Sequence, residues 1–81
     1  MIKMYTTAVC PYCHAAKRLL TERGYEFDEV SLEREGINRE KLFEITGGRT
    51  VPQIIINDKP IGGYDNLLVI DQYGELAKLT A

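Results

Sequence analysis

The chain has little that would place it in a membrane, on a nucleic acid or outside the cell. No apolar run approaches the ~20 residues that a membrane span needs, and none near Met1 has the length of a signal peptide. Lys and Arg residues are spread along the chain, so the concentrated basic face typical of nucleic-acid binding is missing. We therefore expect a cytoplasmic protein with no membrane and no nucleic-acid partner.

Linkers, low-complexity segments and internal repeats are also missing from the sequence. Its 81 residues are enough for one domain and too few for two. With 44% hydrophobic and 27% charged residues, the composition is globular and excludes a disordered or fibrous chain. The sequence therefore predicts a single domain over residues 1–81.

Cysteine is scarce, and the spacing of Cys10 and Cys13 makes this pair chemically informative. Structural disulfides are rare in the reducing compartment expected for this chain, which favours a catalytic or metal-binding role. A Cys-x-x-Cys pair is also half of a zinc knuckle, but His14 follows directly and cannot easily complete a closed tetrahedral site. A metal cluster shared between two copies through Cys10 stays open as an alternative.

The first half of the chain predicts two strands and two helices. Residues 1–5 form a short strand, and Pro11 suits the first turn of a helix that ends at Gly24. Residues 25–32 are rich in aromatic and β-branched side chains and predict a second strand. Asn38 then suits the N-cap of a second helix.

The second half predicts a hairpin and a last helix. Residues 51–56 are almost continuously apolar, as in a buried central strand, and Pro60 restricts the returning strand over residues 59–62 to the sheet edge. Asp65 can cap a last helix whose apolar face extends to Leu79. The order β-α-β-α-β-β-α predicts an α/β fold, a four-stranded mixed sheet flanked by three helices.

The cysteine pair follows a predicted strand directly and opens a predicted helix, the arrangement typical of a redox motif. The positive end of the helix dipole and the unpaired N–H groups there favour thiolate over thiol. We therefore expect Cys10 to be the exposed nucleophile. Cys13, one turn further in, is expected to be the less accessible resolving thiol.

Three motifs follow one another along the chain: Cys-Pro-Tyr-Cys at residues 10–13, Thr-Val-Pro at 50–52 and Gly-Gly-Tyr-Asp at 62–65. With them, the sequence resembles a dithiol glutaredoxin over essentially its whole length. The resemblance implies a thioredoxin-like fold and an enzyme that reduces protein disulfides and glutathione mixed disulfides. It also implies glutathione as co-substrate, no tightly bound cofactor, disulfide-bearing or glutathionylated protein partners, and a monomer.

The resemblance further implies how glutathione is bound. The Val51–Pro52 bond resembles the family's cis-proline, which leaves the Val51 backbone free to pair with the cysteinyl part of glutathione. The N–H groups at Tyr64 and Asp65 would hold the γ-glutamyl carboxylate, the Asp65 side chain the ammonium, and Arg49 the glycyl carboxylate. The full expected set is Tyr12, Arg49, Thr50, Val51, Pro52, Gly63, Tyr64 and Asp65.

Two positions depart from the family, and two other functions are left open. Thr7 stands where glutaredoxins usually carry a lysine, three residues before the first cysteine, and Asn66 where they often carry a second aspartate. The alternative interpretations are a redoxin that is reduced by a flavoprotein and an iron–sulfur carrier. The physiological substrate cannot be read from the residues.

Overall fold

The computed structural model of the protein describes residues 1–80. Four strands and five helical segments follow one another in this part of the chain. Their bounds are β1 Ile2–Thr6, α1 Pro11–Glu22, β2 Asp28–Ser31, α2 Leu32–Glu35, α3 Arg39–Thr46, β3 Gln53–Ile56, β4 Lys59–Gly62, α4 Tyr64–Gln72 and α5 Glu75–Thr80. No helix among these residues is both long enough and apolar enough to cross a membrane.

The strands form one mixed sheet in the order β2-β1-β3-β4. β1 pairs parallel with β2, while β3 pairs antiparallel with both β1 and β4. This confirms the predicted α/β fold with its four-stranded mixed sheet. Pro60 lies on the edge strand β4, as predicted, since an edge strand tolerates a residue that has no N–H to donate to the ladder.

A two-residue turn joins β3 to β4 and sets their pairing. Asn57 and Asp58 both have positive φ, 48° and 67°. Such turns match the right-handed twist of the strands that they connect, and Asn and Asp tolerate this conformation better than most residues. The turn therefore sets the direction of β4, and α4 begins two residues after β4 ends, with Tyr64 beside Tyr12 of the cysteine motif.

Both faces of the sheet carry apolar side chains, because successive residues of a strand point to opposite sides. The larger cluster packs between the sheet and α1, α4 and α5, and it contains Ile2, Met4, Ala16, Leu19, Leu20, Ile54, Ile56, Leu67 and Leu76. The smaller cluster lies towards α2 and α3 and contains Tyr5, Leu32 and Leu42. Each fully buried aliphatic side chain of this size contributes about 1.5–3 kcal/mol to folding.

The helices differ in number from the three that were predicted. α2 is an additional single turn, in which the Ser31 hydroxyl accepts a hydrogen bond from the Arg34 N–H at 3.3 Å. The last predicted helix is two helices, α4 and α5, because Gly74 adopts a left-handed φ of 74° between them. The predicted N-cap of α3 is confirmed, since the Asn38 side chain accepts from the Lys41 N–H at 2.8 Å.

The predicted cap of the last helix is wrong. Gly63, not Asp65, is the N-cap of α4, and it has no side chain with which to cap the helix. Asp65 lies inside the first turn, where its negative charge faces the positive end of the helix dipole. Its carboxylate is therefore not occupied by capping.

Candidate active site

Cys10 directly precedes α1, at the end of the short loop that follows β1. It is the N-cap of α1 in extended conformation, and its Sγ accepts a hydrogen bond from the Cys13 N–H at 3.2 Å. Pro11 occupies the first helical position, where its missing N–H leaves no hydrogen bond unmade. A sulfur that caps a helix receives both the helix dipole and a direct N–H donor, and both favour its thiolate.

The two thiols differ in burial. Cys10 keeps 6% of its surface exposed and Cys13 keeps none. Cys13 is the less accessible of the two, as predicted, but the prediction that Cys10 is exposed is wrong, because packing buries both residues. Both cysteines are free thiols in this structure.

Burial raises the pKa of the Cys13 thiol from 9.0 to about 12, and the adjacent Cys10 adds to the rise through a hydrogen bond and its charge. The Thr7 backbone and the Lys17 charge act in the opposite direction and lower the pKa. A thiol with a pKa near 12 is protonated throughout the neutral range. Cys13 is therefore a thiol, not a competing nucleophile, when Cys10 reacts first.

Alkylation of the reduced protein should separate the two cysteines. At about pH 7, iodoacetamide is expected to label Cys10 and to leave Cys13 unlabelled, because Cys13 is buried and its raised pKa keeps it protonated. Labelling of Cys13 should increase only as the pH rises towards 12. Peptide mapping by mass spectrometry measures both sites, with the urea-unfolded protein as the control in which both react. Equal labelling in the folded protein would contradict the assignment.

A groove of about 440 Å³ lies beside Cys10 and gathers segments that are distant in the chain. Its lining residues are Tyr12, Thr50, Val51, Pro52, Gly63, Tyr64, Asp65 and Asn66. The Cys10 thiol donates to the Val51 carbonyl oxygen at 3.7 Å, so Cys10 contacts a residue that lines the groove although it does not line the groove itself. The Val51–Pro52 peptide bond is cis, as predicted.

The opposite wall of the groove is the first turn of α4. The first hydrogen bond of this helix runs from the Leu67 N–H to the Gly63 carbonyl at 3.1 Å, which leaves the N–H groups of the preceding turn without an intrahelical partner. The rings of Tyr12 and Tyr64 lie 6.2 Å apart across the groove. The wall therefore offers N–H donors, an aromatic surface and the Asp65 carboxylate.

Comparison with known proteins identifies this combination of fold and site. The glutaredoxin family model matches residues 2–61. The chain belongs to the glutaredoxin family. It is a glutathione-dependent thiol–disulfide oxidoreductase with a thioredoxin-like fold.

Individual glutaredoxins agree closely with this one in length and shape. The chain is 41% identical to glutaredoxin 3 of Escherichia coli K12 over 78 residues, which are 96% of this chain and 94% of that protein. It is 40% identical to a Pseudomonas aeruginosa glutaredoxin over 78 residues, 96% of this chain and 93% of the other. A crystal structure of a buckwheat glutaredoxin–glutathione complex superposes with a TM-score of 0.88 at 28% identity, covering 98% of this chain and 74% of that one.

Seven of the eight residues predicted to bind glutathione line the groove of this glutaredoxin, and Arg49 does not. The Arg49 guanidinium instead lies over the Phe43 ring, 4.2 Å from its centroid. A contact with glutathione would require this side chain to leave the ring. The role of Arg49 stays a prediction that this arrangement does not favour.

Asn66 is the groove residue that the predicted set did not include. Its Nδ2 donates to the Ile61 carbonyl at 2.9 Å and so ties α4 to β4. The position of Asn66 directly after Asp65 is the sequence feature from which its place in the groove could have been predicted. Thr7, in contrast, lines a different groove, together with Lys17, Glu29 and Arg34, and this groove shares no lining residue with the first.

Metal ligands are sparse in the part of the chain that the structure describes. No group of three or more His, Cys, Asp or Glu side chains among residues 1–80 is arranged to hold a metal ion. The cysteine pair is therefore not part of such a group among the described residues.

Proposed function

We propose that this glutaredoxin reduces glutathione mixed disulfides and protein disulfides with Cys10 as nucleophile and Cys13 as resolving thiol. The observation that carries the proposal is the position of Cys10 Sγ. It caps α1, accepts the Cys13 N–H at 3.2 Å and lies 3.7 Å from the carbonyl oxygen of Val51, a residue that lines the groove. This geometry gives one sulfur both thiolate stabilisation and access to a bound substrate.

With a glutathionylated protein, the Cys10 thiolate attacks the glutathione sulfur. The Cys10–glutathione disulfide forms, the bond to the protein sulfur breaks, and the released protein thiolate takes up a proton. A second glutathione thiolate then attacks the glutathione sulfur of the mixed disulfide. Oxidised glutathione leaves, and Cys10 returns to its thiolate form with the helix N-terminus as its stabilising partner.

With a protein disulfide, the first attack leaves the substrate attached to Cys10. The Cys13 thiol then attacks Cys10 Sγ, the Cys10–Cys13 disulfide forms, and the second substrate sulfur leaves and takes up a proton. The short separation of the two cysteines within one turn of α1 supports this route, because the resolving thiol is already in place.

The groove supports a specific placement of glutathione. The cysteinyl part of glutathione would pair with the Val51 backbone. The γ-glutamyl carboxylate of glutathione would accept hydrogen bonds from the free N–H groups of α4, and the ammonium of glutathione would contact Asp65. Asp65 is the only charged residue that lines the groove, so it suits the only cationic group of glutathione. The buckwheat glutaredoxin that was crystallised as a glutathione complex supports glutathione binding by a protein of this fold.

Asp65→Asn should weaken glutathione binding without harming the thiol chemistry. We expect the KM for a small glutathione mixed disulfide to rise about three- to tenfold, because a partly exposed charged contact contributes about 1 kcal/mol. The kcat should change little, since Cys10 Sγ still accepts the Cys13 N–H at the start of α1. Steady-state kinetics with Asp58→Asn as the matched control decide this, because Asp58 lies in the β3–β4 turn. An unchanged KM for Asp65→Asn would place the ammonium elsewhere.

The proposal also covers location and partners. The protein is proposed to act in the cytoplasm as a monomer, with glutathione as co-substrate, no tightly bound cofactor, and disulfide-bearing or glutathionylated proteins as substrates. Cell fractionation and size-exclusion chromatography of the full chain test the location and the oligomeric state. A dimer, or recovery outside the cytoplasm, would contradict them.

A further inference from the structure

A charged side chain, Lys17, lies near Cys13 on α1 and does not line the glutathione groove. Lys17 follows Cys13 by four residues on α1, the spacing at which side chains of a helix are neighbours on one face. Lys17 Nζ contacts Glu29 Oε2 of β2 at 2.9 Å, and the Thr6 hydroxyl of β1 donates to the same oxygen at 2.7 Å. Side chains from α1, β1 and β2 thus meet at one carboxylate oxygen, and one of them is the lysine one turn after Cys13.

This arrangement holds the ammonium in place. Thr6 is only 1% exposed, and the side chains of Lys17 and Glu29 are 26% and 39% exposed. The hydrogen bonds from Thr6 and Lys17 lower the pKa of Glu29, which therefore stays ionised at neutral pH. A lysine that is anchored at its tip loses the freedom that usually makes surface lysines poor at stabilising a particular neighbour.

We propose that Lys17, anchored by Glu29 and Thr6, is a positioning residue for resolution, whose charge stabilises the negative charge that develops on Cys13 Sγ when it attacks the mixed disulfide at Cys10. The inference rests on the proposed roles of the two cysteines and adds a residue that acts in only one of the two reaction routes. Glutathione mixed-disulfide reduction through Cys10 alone does not require it.

The environment of Cys13 explains why the charge matters at that step. In the reduced protein, burial and the Cys10 sulfur both oppose ionisation of Cys13, and they raise its pKa to about 12. Once Cys10 is part of a mixed disulfide, it no longer raises the pKa of Cys13 through its charge. Burial, the largest cause of the raised pKa, remains, and so do the Thr7 backbone and the Lys17 charge, which lower it. In the mixed disulfide, the Lys17 charge therefore offsets part of the cost that burial imposes on ionisation of Cys13.

The step balances without any further reactant. The Cys13 thiol loses its proton as its sulfur bonds to Cys10 Sγ, and the bond from Cys10 to the substrate sulfur breaks. The leaving substrate thiolate takes up one proton, so the products are the Cys10–Cys13 disulfide and a substrate thiol. The other titratable groups near Lys17 and Glu29 are His14, which follows Cys13 on the same helix, and Arg34, which lines the same groove.

Single-turnover reaction with 5,5′-dithiobis(2-nitrobenzoate) separates the two steps in one trace. Attack by Cys10 releases one coloured thiolate, and resolution by Cys13 releases the second. We expect Lys17→Gln to slow the second phase about three- to tenfold at neutral pH and low salt, and to leave the first phase unchanged. The difference from wild type should shrink as pH or salt is raised, because Cys13 then ionises unaided or the charge is screened.

Two variants make the test specific. Lys17→Arg keeps the charge and should restore the second phase, whereas Arg18→Gln removes a charge from an exposed position of the same helix and should slow neither phase. Equal slowing of both phases by Lys17→Gln, failure of Lys17→Arg to restore the second, or an equal effect of Arg18→Gln would each overturn the proposal. Failure of the proposed cysteine roles would look different, because the Cys10→Ser protein would then still release the first thiolate.

Discussion

Cys10→Ser should abolish the reduction of every disulfide substrate, whereas Cys13→Ser should remove only part of the activity. A serine hydroxyl at position 10 still accepts the backbone N–H that Cys10 Sγ accepts at 3.2 Å, so the helix and the groove remain. It is not ionised at neutral pH and cannot attack a disulfide. The loss in Cys10→Ser is therefore a loss of chemistry in a folded protein.

Cys13→Ser should keep reduction of glutathione mixed disulfides and lose protein-disulfide reduction by on the order of 100-fold. The reason is that a resolving thiol within the same helical turn acts at an effective concentration far above that of free glutathione. Coupled assays with a small glutathione mixed disulfide and with a protein disulfide measure the two routes. Mass spectrometry of Cys13→Ser with oxidised glutathione should show one adduct, at Cys10. An adduct at Cys13 in the Cys10→Ser protein would reverse the roles.

Gly62→Ala should destabilise the protein strongly, although Gly62 is not one of the residues predicted to bind glutathione. Gly62 has a φ of 111°, a conformation that L residues rarely adopt, and an added Cβ would collide with the Asn66 side-chain amide. That amide donates to the Ile61 carbonyl at 2.9 Å, so relief of the collision breaks the link between β4 and α4. Strain and the lost hydrogen bond together should lower the free energy of unfolding by about 3 kcal/mol.

Urea unfolding at 25 °C measures this loss, and the KM for glutathione should rise with it because the first turn of α4 shifts. Gly36→Ala is the matched control. Gly36 also has positive φ, 66°, but an added Cβ meets nothing within 4 Å, so we expect only about 1–2 kcal/mol. Asn66→Ala in the Gly62→Ala background removes the collision partner and should cost less than the sum of the single changes. Strict additivity would show that the collision does not occur.

The local features of this glutaredoxin could be predicted from its sequence. Pro11 at the first position of α1, the Asn38 cap and Pro60 on the edge strand all depend on the backbone chemistry of one residue and its immediate neighbours. The same holds for Cys10 at a helix start, because a Cys-x-x-Cys pair after a strand leaves little choice of geometry. The parallel pairing of β1 with β2 and the antiparallel pairing of β3 with β4 followed from general rules of chain connection, whereas the order β2-β1-β3-β4 was not predicted.

Contacts between distant segments were decided by the tertiary structure. Packing brought the segments around Val51 and Asp65 to one groove beside Cys10, and it left Cys10 almost buried. It also turned Arg49 towards Phe43 instead of the groove and joined Lys17 to Glu29. A long side chain has many rotamers of similar energy, and only the neighbours that the fold supplies select one of them. The motifs therefore identified the chemistry, and the packing determined which charges act on it.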